Sequence, residues 1–363
     1  MIHHDGVKAL REIDHFFKTK PNSIGDPEFY LRAKLCPITL PNGVTAWGMS
    51  SSMYIQASVA IVKEYHSKEY PTRKWEKRTS GPFPYDFAPE LDTTDLLNHE
   101  KSAFYQLQIG VLRWIVELGR IDIITEISEL SSMRAMPREG HLDAVFHLFN
   151  YLEKRHNARI AFDPTYPTIN MTSYKTECDW KAFSGDAREA VPPNAPTPRG
   201  KDVDLRMFAD SDHAGDKRTR RSRTGFIIFL NMAPIVWFSK KQATIKTSVF
   251  GAEFVATKQG MECLRGLRYK LRMMGVAISG PSYIYGDNMP VIHNTQRPES
   301  VLKKNSNAIF YHAIREATAM GECLTGHIST HDNPAVICTK IIPGGCNRDY
   351  LIGLLLHNLA DYT

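Results

Sequence analysis

Paired cysteine motifs are missing from this 363-residue sequence. Its six cysteines, Cys36, Cys178, Cys263, Cys323, Cys338 and Cys346, are scattered, with no C-x-x-C pair among them. That spacing excludes the common zinc-ribbon patterns and argues against a disulfide framework, so free thiols in a reducing compartment are expected. No apolar run reaches the roughly 18–20 residues that a membrane-spanning helix needs. The first ten residues, MIHHDGVKAL, hold no apolar stretch of the kind that marks a secretory signal, so none is expected. Internal repeats and low-complexity tracts are also missing.

What is present is enough to build cores. Hydrophobic residues make up 42% of the chain and charged residues 23%, an ordinary balance for a globular protein of one large or two smaller domains. The net charge of +6 is unevenly placed. Residues 201–345 hold 20 Lys and Arg against 12 Asp and Glu, whereas the rest of the chain is slightly acidic. A basic field of this kind suits a surface that grips phosphates; its plain alternative is a solvated basic face.

Along the chain, helices are expected over 7–19, 53–66, 98–119 and the two stretches RIDIITEISELSSM and REGHLDAVFHLFNYLEKRH. In the last of these, Leu142, Val145, Phe146, Leu148 and Phe149 share one broad face. An Asn-Gly pair at Asn42–Gly43 predicts a hairpin, and residues 67–97 read as a loop. The pattern dissolves from about 163, and AVPPNAPTPRG (190–200) reads as a linker. A compact α/β pattern follows. It comprises strands at 203–211, about 225–230 and 234–239, a long helix over 249–274 and a strand in YIYGD. A helix near 306–319, a strand in LTGHIST and a helical stretch from 333 complete it.

Three acids stand at element ends in that second part. Asp210 closes a strand in which Val203, Leu205, Met207 and Ala209 alternate with Asp204, Arg206, Phe208 and Asp210. Glu253 lies in the first turns of the long helix, flanking the apolar stripe of Phe250, Phe254, Met261, Leu264 and Leu271. Asp287 closes the strand SYIYGDN. Alone, each reads as a solvated strand-end or helix residue; together, on strand, helix and strand, they suit hard divalent cations and phosphodiester cleavage.

The order of these acids resembles the ribonuclease H fold. More narrowly, FADSDHAGDKRTRRSRTGFIIFLNMAPIVWFSKKQ, SVFGAEFVATKQ, YGDNMPVI, KKNSNAIFYHAIREA and HDNPAVICTK are similar to the Pol polyproteins of copia-type retrotransposons. Upstream, GDPEFYLRAKL, FYQLQIGVLRWIVELGRIDIITEISELSS and GHLDAVFHLFNYL resemble the segment after the polymerase site in the same polyproteins. The resemblance implies a mixed α/β chain. Residues 1–162 would be a largely helical partial reverse transcriptase (palm end, thumb and connection) and 163–200 a Pro-rich linker. Residues 201–345 would be a ribonuclease H-like mixed sheet with flanking helices, and 346–363 a helical tail. It implies catalytic, metal-binding roles for Asp210, Glu253 and Asp287 with two Mg²⁺ or Mn²⁺ ions. The partner would be an RNA–DNA hybrid or other nucleic acid, with the remaining Pol segments as further partners, no membrane contact, and an intracellular (cytoplasmic or nuclear) location.

Two departures qualify that picture. The paired-Asp strand of the family's polymerase does not occur in this sequence, so DNA synthesis by this chain alone is not expected. The family's NPAD, with a fourth catalytic Asp, reads NPAV here, with Val336 in the acid's place. His331 and Asp332 are poor stand-ins. Impaired catalysis, or a catalytically inactive nucleic-acid-binding remnant, is the alternative reading. A metal hydrolase acting on small phosphate esters through Asp210 and Asp212 is a third. Lys217, Arg218, Arg220, Arg221 and Arg223, in DKRTRRSR, read as a phosphate grip, or else as a solubilising turn. Arg265, Arg268 and Arg272 share helical spacing that would let them line the same groove; on their own they read as a solvated helix face. Asp212 is left in a supporting or turn role beside Asp216. Trp237, Phe238 and His312 are expected to be packing residues.

Overall fold

The computed structural model describes residues 11–357 except 12, 19, 21–24, 76–78, 85, 175–177 and 303–307. The helix expected over 7–19 therefore lies partly outside the described residues, and so do the KKNSN stretch and the end of the tail. Among the described residues all six cysteines are free thiols. No described helix is long and apolar enough to cross a membrane.

The first half combines helices with a sheet. Strands β1 (Phe29–Tyr30), β2 (Ala33–Thr39) and β3 (Thr45–Ser50) form antiparallel hairpins, with the Asn42–Gly43 turn joining the last two. Four helices follow: α1 (Ser52–Glu69), α2 (His99–Glu117), α3 (Ile124–Ser131) and α4 (Glu139–Lys154). Asn98 caps α2 by accepting the Lys101 N–H, satisfying one of the orphan amides of the first turn. Strand β4 (Arg159–Phe162) then adds to β3, giving a four-stranded sheet in the order β1-β2-β3-β4. The periodicity that ends at the α4 helix gives no hint of β4, because four residues are too few to show a period of two.

The second half carries β5 (Arg199–Val203), β6 (Leu205–Asp212), β7 (Arg223–Leu230) and β8 (Ala233–Lys241). The long helix α5 (Val249–Met273), β9 (Val276–Ile278), β10 (Ser282–Gly286) and α6 (Met289–Gln296) follow. Last come α7 (Ala308–Ala319), β11 (Cys323–His327) and α8 (Cys346–Gly353). The central sheet has the order β11-β10-β6-β7-β8. Strands β6, β7 and β8 are antiparallel neighbours, whereas β10 runs parallel to both β6 and β11. This is a mixed α/β chain with a ribonuclease H-like mixed sheet.

Both faces of that sheet are covered. Leu205, Met207, Ala209, Phe226, Ile228 and Ile284 point to one side, against Phe254, Met261 and Leu264 of α5 and Tyr311 and Ile314 of α7. Gly260 allows that approach, since a Cβ there would lie 2.4 Å from the Met207 sulfur. Phe208, Ile227, Phe229 and Tyr285 point to the other side, into a cluster that includes Ile109, Leu112, Ile127, Leu142 and Phe149 of α2, α3 and α4. The alternation along β6 thus sorts residues between two cores, rather than between a core and water.

Polar pins reinforce this second interface. The buried Arg223 guanidinium donates to Ser128 Oγ (2.5 Å) and Glu129 Oε1 (2.5 Å) of α3. Thr125 Oγ1 donates to the Ile337 carbonyl at 2.6 Å. Arg348 of α8, also buried, lies 3.3 Å from Glu126 and donates to the Ile342 carbonyl.

Candidate active site

Each of the three acids is delivered by a different element. Asp210 sits near the end of β6, opposite Gly225 of β7, and is fully buried. Glu253 is in the first turns of α5, whose start is fixed by Ser248 accepting the Gly251 N–H at 3.2 Å. Asp287 lies between β10 and α6, just before Asn288, which caps α6. Asp210, Glu253 and Asp287 each offer a carboxylate oxygen, and these atoms all lie within 4.8 Å of one another. Among the described residues no other group of this kind forms, so Asp212, His331 and Asp332 are not part of one.

Protein donors hold the three carboxylates. Thr339 Oγ1 donates to Asp210 Oδ2, and Lys340 Nζ lies 3.3 Å from each Asp210 oxygen. Glu253 Oε1 accepts the Ser211 N–H at 3.3 Å, and Asp287 Oδ2 accepts from Thr330 Oγ1 at 2.6 Å. Asn333 donates to the Ala209 carbonyl at 2.9 Å and so pins the 333–340 turn beside β6. Gly225 leaves the room for it: a Cβ there would lie 2.5 Å from Thr339 and 2.7 Å from Cys338.

The electrostatics follow from burial and crowding. Burial, joined by the Asp210 and Asp287 charges, raises the Glu253 carboxyl well above its ordinary range. Burial also raises Asp210; Lys340 and Thr339 pull it back, and Asp287 pushes it up again. Burial alone would lower Lys340, but Asp210, Asp287 and Glu253 outweigh it and raise the ammonium. Carboxylates crowded at this distance favour added positive charge. Their hard oxygens fit Mg²⁺ or Mn²⁺, and the residues present therefore suit a divalent cation.

Thr339, Lys340, Thr330 and Asn333 were not singled out by sequence reasoning. Asn333, Thr339 and Lys340 lie in the HDNPAVICTK stretch and Thr330 ends LTGHIST, and that is their only sequence signal, because neither threonine nor lysine at a turn announces a site. Val336 lies in a 3₁₀ segment (Pro334–Cys338) and is buried in the apolar cluster shared with the first-half helices.

The basic turn divides. Lys217, Arg218, Arg220 and Arg221 are exposed on the β6–β7 connection. Asp216 shapes that turn, accepting the Arg218 and Thr219 amides at 3.1 and 2.6 Å and pairing with Lys241 at 2.5 Å. Burial opposes ionisation of Asp216, but those contacts prevail and hold its carboxyl at about 2. Arg223 does not belong with the exposed four: it is 1% exposed and spent on Ser128, Ser239 and Glu129, so it cannot meet a phosphate. The expectation for Arg223 is corrected accordingly, because a residue at the first position of β7 faces the interhelical core.

The arginine stripe on α5 is corrected as well. Arg265 pairs with Glu322 (2.5 Å), while Arg268 and Arg272 both pair with Glu189 (2.6 Å each). Asp212 accepts the Arg223 N–H, and burial pushes its carboxyl up to about 6. Trp237 and Phe238 pack against opposite faces of the sheet.

Three carboxylates thus converge at one end of a ribonuclease H-like mixed sheet. No family model matches the chain. It is 27% identical over 236 residues to the retrovirus-related Pol polyprotein from transposon RE1 of Arabidopsis thaliana, covering 65% of this chain and 14% of that protein. It is 30% identical over 241 residues to the corresponding polyprotein from transposon TNT 1-94 of Nicotiana tabacum, covering 66% of this chain and 15% of that protein. Among solved structures, LC11-RNase H1 in complex with an RNA/DNA hybrid is similar at 14% identity, over 37% of this chain and 93% of that one, with a TM-score of 0.31. The chain is similar to a segment of these transposon Pol polyproteins and spans about a seventh of their length.

Proposed function

We propose that this chain is the ribonuclease H-bearing part of a copia-type Pol polyprotein and hydrolyses RNA in RNA–DNA hybrids. The observation that carries the reading is the convergence of Asp210, Glu253 and Asp287, from three separate elements, within 4.8 Å. They would hold divalent cations, Mg²⁺ or Mn²⁺ and two in the family's manner, which when bound supply an activated water and charge stabilisation at the phosphate. The chain's own residues do the positioning. Thr339 fixes the Asp210 carboxylate, Thr330 fixes Asp287 and the Ser211 amide orients Glu253. A division of the chain at about 163–200 into two segments that share one core is part of the same proposal, as is a place of action inside the cell, where six free thiols survive.

The decisive experiment is cleavage of a labelled RNA–DNA hybrid, first with Mg²⁺ and then with Mn²⁺. Cleavage in at least one of them is expected, and Asp210→Asn should reduce it to background. Equal activity in the Asn variant would assign the cleavage to a contaminant or another site.

The exposed turn would hold the hybrid by its phosphates. Binding through Lys217, Arg218, Arg220 and Arg221 is independent of base sequence and falls steeply with salt. Replacing Arg218, Arg220 and Arg221 by Ala should lower the log–log salt slope by about 0.7–0.9 for each phosphate that is no longer neutralised. An unchanged slope would make the run a solubilising turn.

A second reading rests on Val336. With an apolar residue buried at the family's fourth acid position, the chain would keep the fold and the basic turn as a nucleic-acid-binding remnant without catalysis. Hybrid binding without cleavage in either metal would favour it.

A further inference from the structure

We propose that the Lys340 ammonium is a tethered cation that stands in the acid cluster in place of one divalent ion, so that the free protein binds one such ion rather than two. The inference rests on the metal-binding reading above and concerns only how the cluster is filled.

The geometry is specific to Asp210. This carboxylate is fully buried, and both of its oxygens are engaged by the protein: Oδ2 by the Thr339 hydroxyl, and both by Lys340 Nζ at 3.3 Å. An ammonium equidistant from the two oxygens occupies the side from which a cation would approach them. On the other side of the cluster, Glu253 and Asp287 contribute carboxylates that no protein cation touches in a described contact. Among the described residues their close donors are the Ser211 amide and the Thr330 hydroxyl.

Charge points the same way. Three carboxylates and one ammonium leave a charge of about −2, which one divalent ion neutralises; a second would leave the buried pocket positive before any phosphate arrives. The replacement of an acid by Val336 sharpens this, since a fourth carboxylate would have restored room for the second ion. Lys340 is also able to move. Its side chain is 41% exposed, on a flexible four-carbon stem, and its backbone is fixed independently by donation to the Val336 carbonyl at 3.0 Å. An incoming hybrid phosphate can therefore draw the ammonium off Asp210 without unfolding the turn.

The test is a count of bound Mn²⁺ by electron paramagnetic resonance titration of the full chain, together with melting in EDTA. Wild type should bind one equivalent. Lys340→Met, which keeps the apolar stem, should bind two, or bind the first at least tenfold more tightly. It should also melt lower than wild type in EDTA and recover when Mn²⁺ is added. Lys340→Arg should keep the count of one. Should the Met variant not fold, the wild-type count decides. Two equivalents in wild type, or an unchanged count and affinity in folded Lys340→Met, overturn the role of Lys340 and leave the metal site standing. No Mn²⁺ bound by any of the proteins overturns the metal reading itself.

Discussion

A fragment comprising residues 201–345 alone should fail to give a cooperative unfolding transition, whereas the full chain should give one. The sheet's second face explains why. Phe208, Phe229, Tyr285 and Trp237 pack there against helices contributed by residues 99–154, and Tyr174 packs tilted against Tyr283 and edge-on to Tyr285. Aromatic side chains bury about 150–250 Å² each. Stripping the helices would bare a contiguous apolar surface larger than the few hundred Å² that a soluble monomer carries. The fragment also lacks Ser128 and Glu129, the partners of Arg223, and the α8 helix with its buried Arg348. Circular dichroism melts of the two proteins decide the matter. A cooperative melt of the fragment near the full-chain midpoint would show that the helices merely rest on a self-sufficient domain.

The second large effect is expected at Val336. Val336 is the middle residue of the 3₁₀ segment Pro334–Cys338. Asn333 and Thr339, which flank that segment, reach the Ala209 carbonyl and the Asp210 carboxylate. Position 336 falls between them, so Val336→Asp should bring a fourth carboxylate to the cluster. Removing even a group that only orients a metal ligand commonly costs about 10–100-fold, and a direct ligand should matter at least as much. Hybrid cleavage by the native chain should therefore be weak with Mg²⁺, which demands near-octahedral coordination, and stronger with Mn²⁺. Val336→Asp should raise the Mg²⁺ rate by about tenfold or more, and adding Asp210→Asn should abolish the gain. The same substitution places a carboxylate beside an apolar cluster, so its melting point in EDTA should fall and rise again with Mn²⁺. An unchanged cleavage rate in a folded Val336→Asp protein would mean that position 336 does not face the cluster.

Much of this molecule is legible without its structure, and the legible parts are local. The α4 helix follows from the spacing of Leu142, Val145, Phe146 and Phe149, and β6 from its period of two. The three acids were recognisable because each closes or opens an element whose type the neighbouring residues dictate. Asp210, Glu253 and Asp287 needed only the strand–helix–strand order to be grouped, and the fold brings them together.

What tertiary structure alone decided lies where distant segments meet. Thr339 and Lys340 reach Asp210 across about 130 positions of sequence, and no local period links a turn to a strand end that far away. Arg223 looks no different from Arg221 in the sequence, yet Arg221 is exposed and Arg223 is buried against Glu129. Its burial depends on α3, an element some 90 residues earlier. The alternation along β6 could not reveal that both faces are covered, because a period of two records which residues share a side and not what lies opposite. Sequence thus determined the elements and the candidate acids; packing decided which charges face water, which face each other, and which cation already stands beside Asp210.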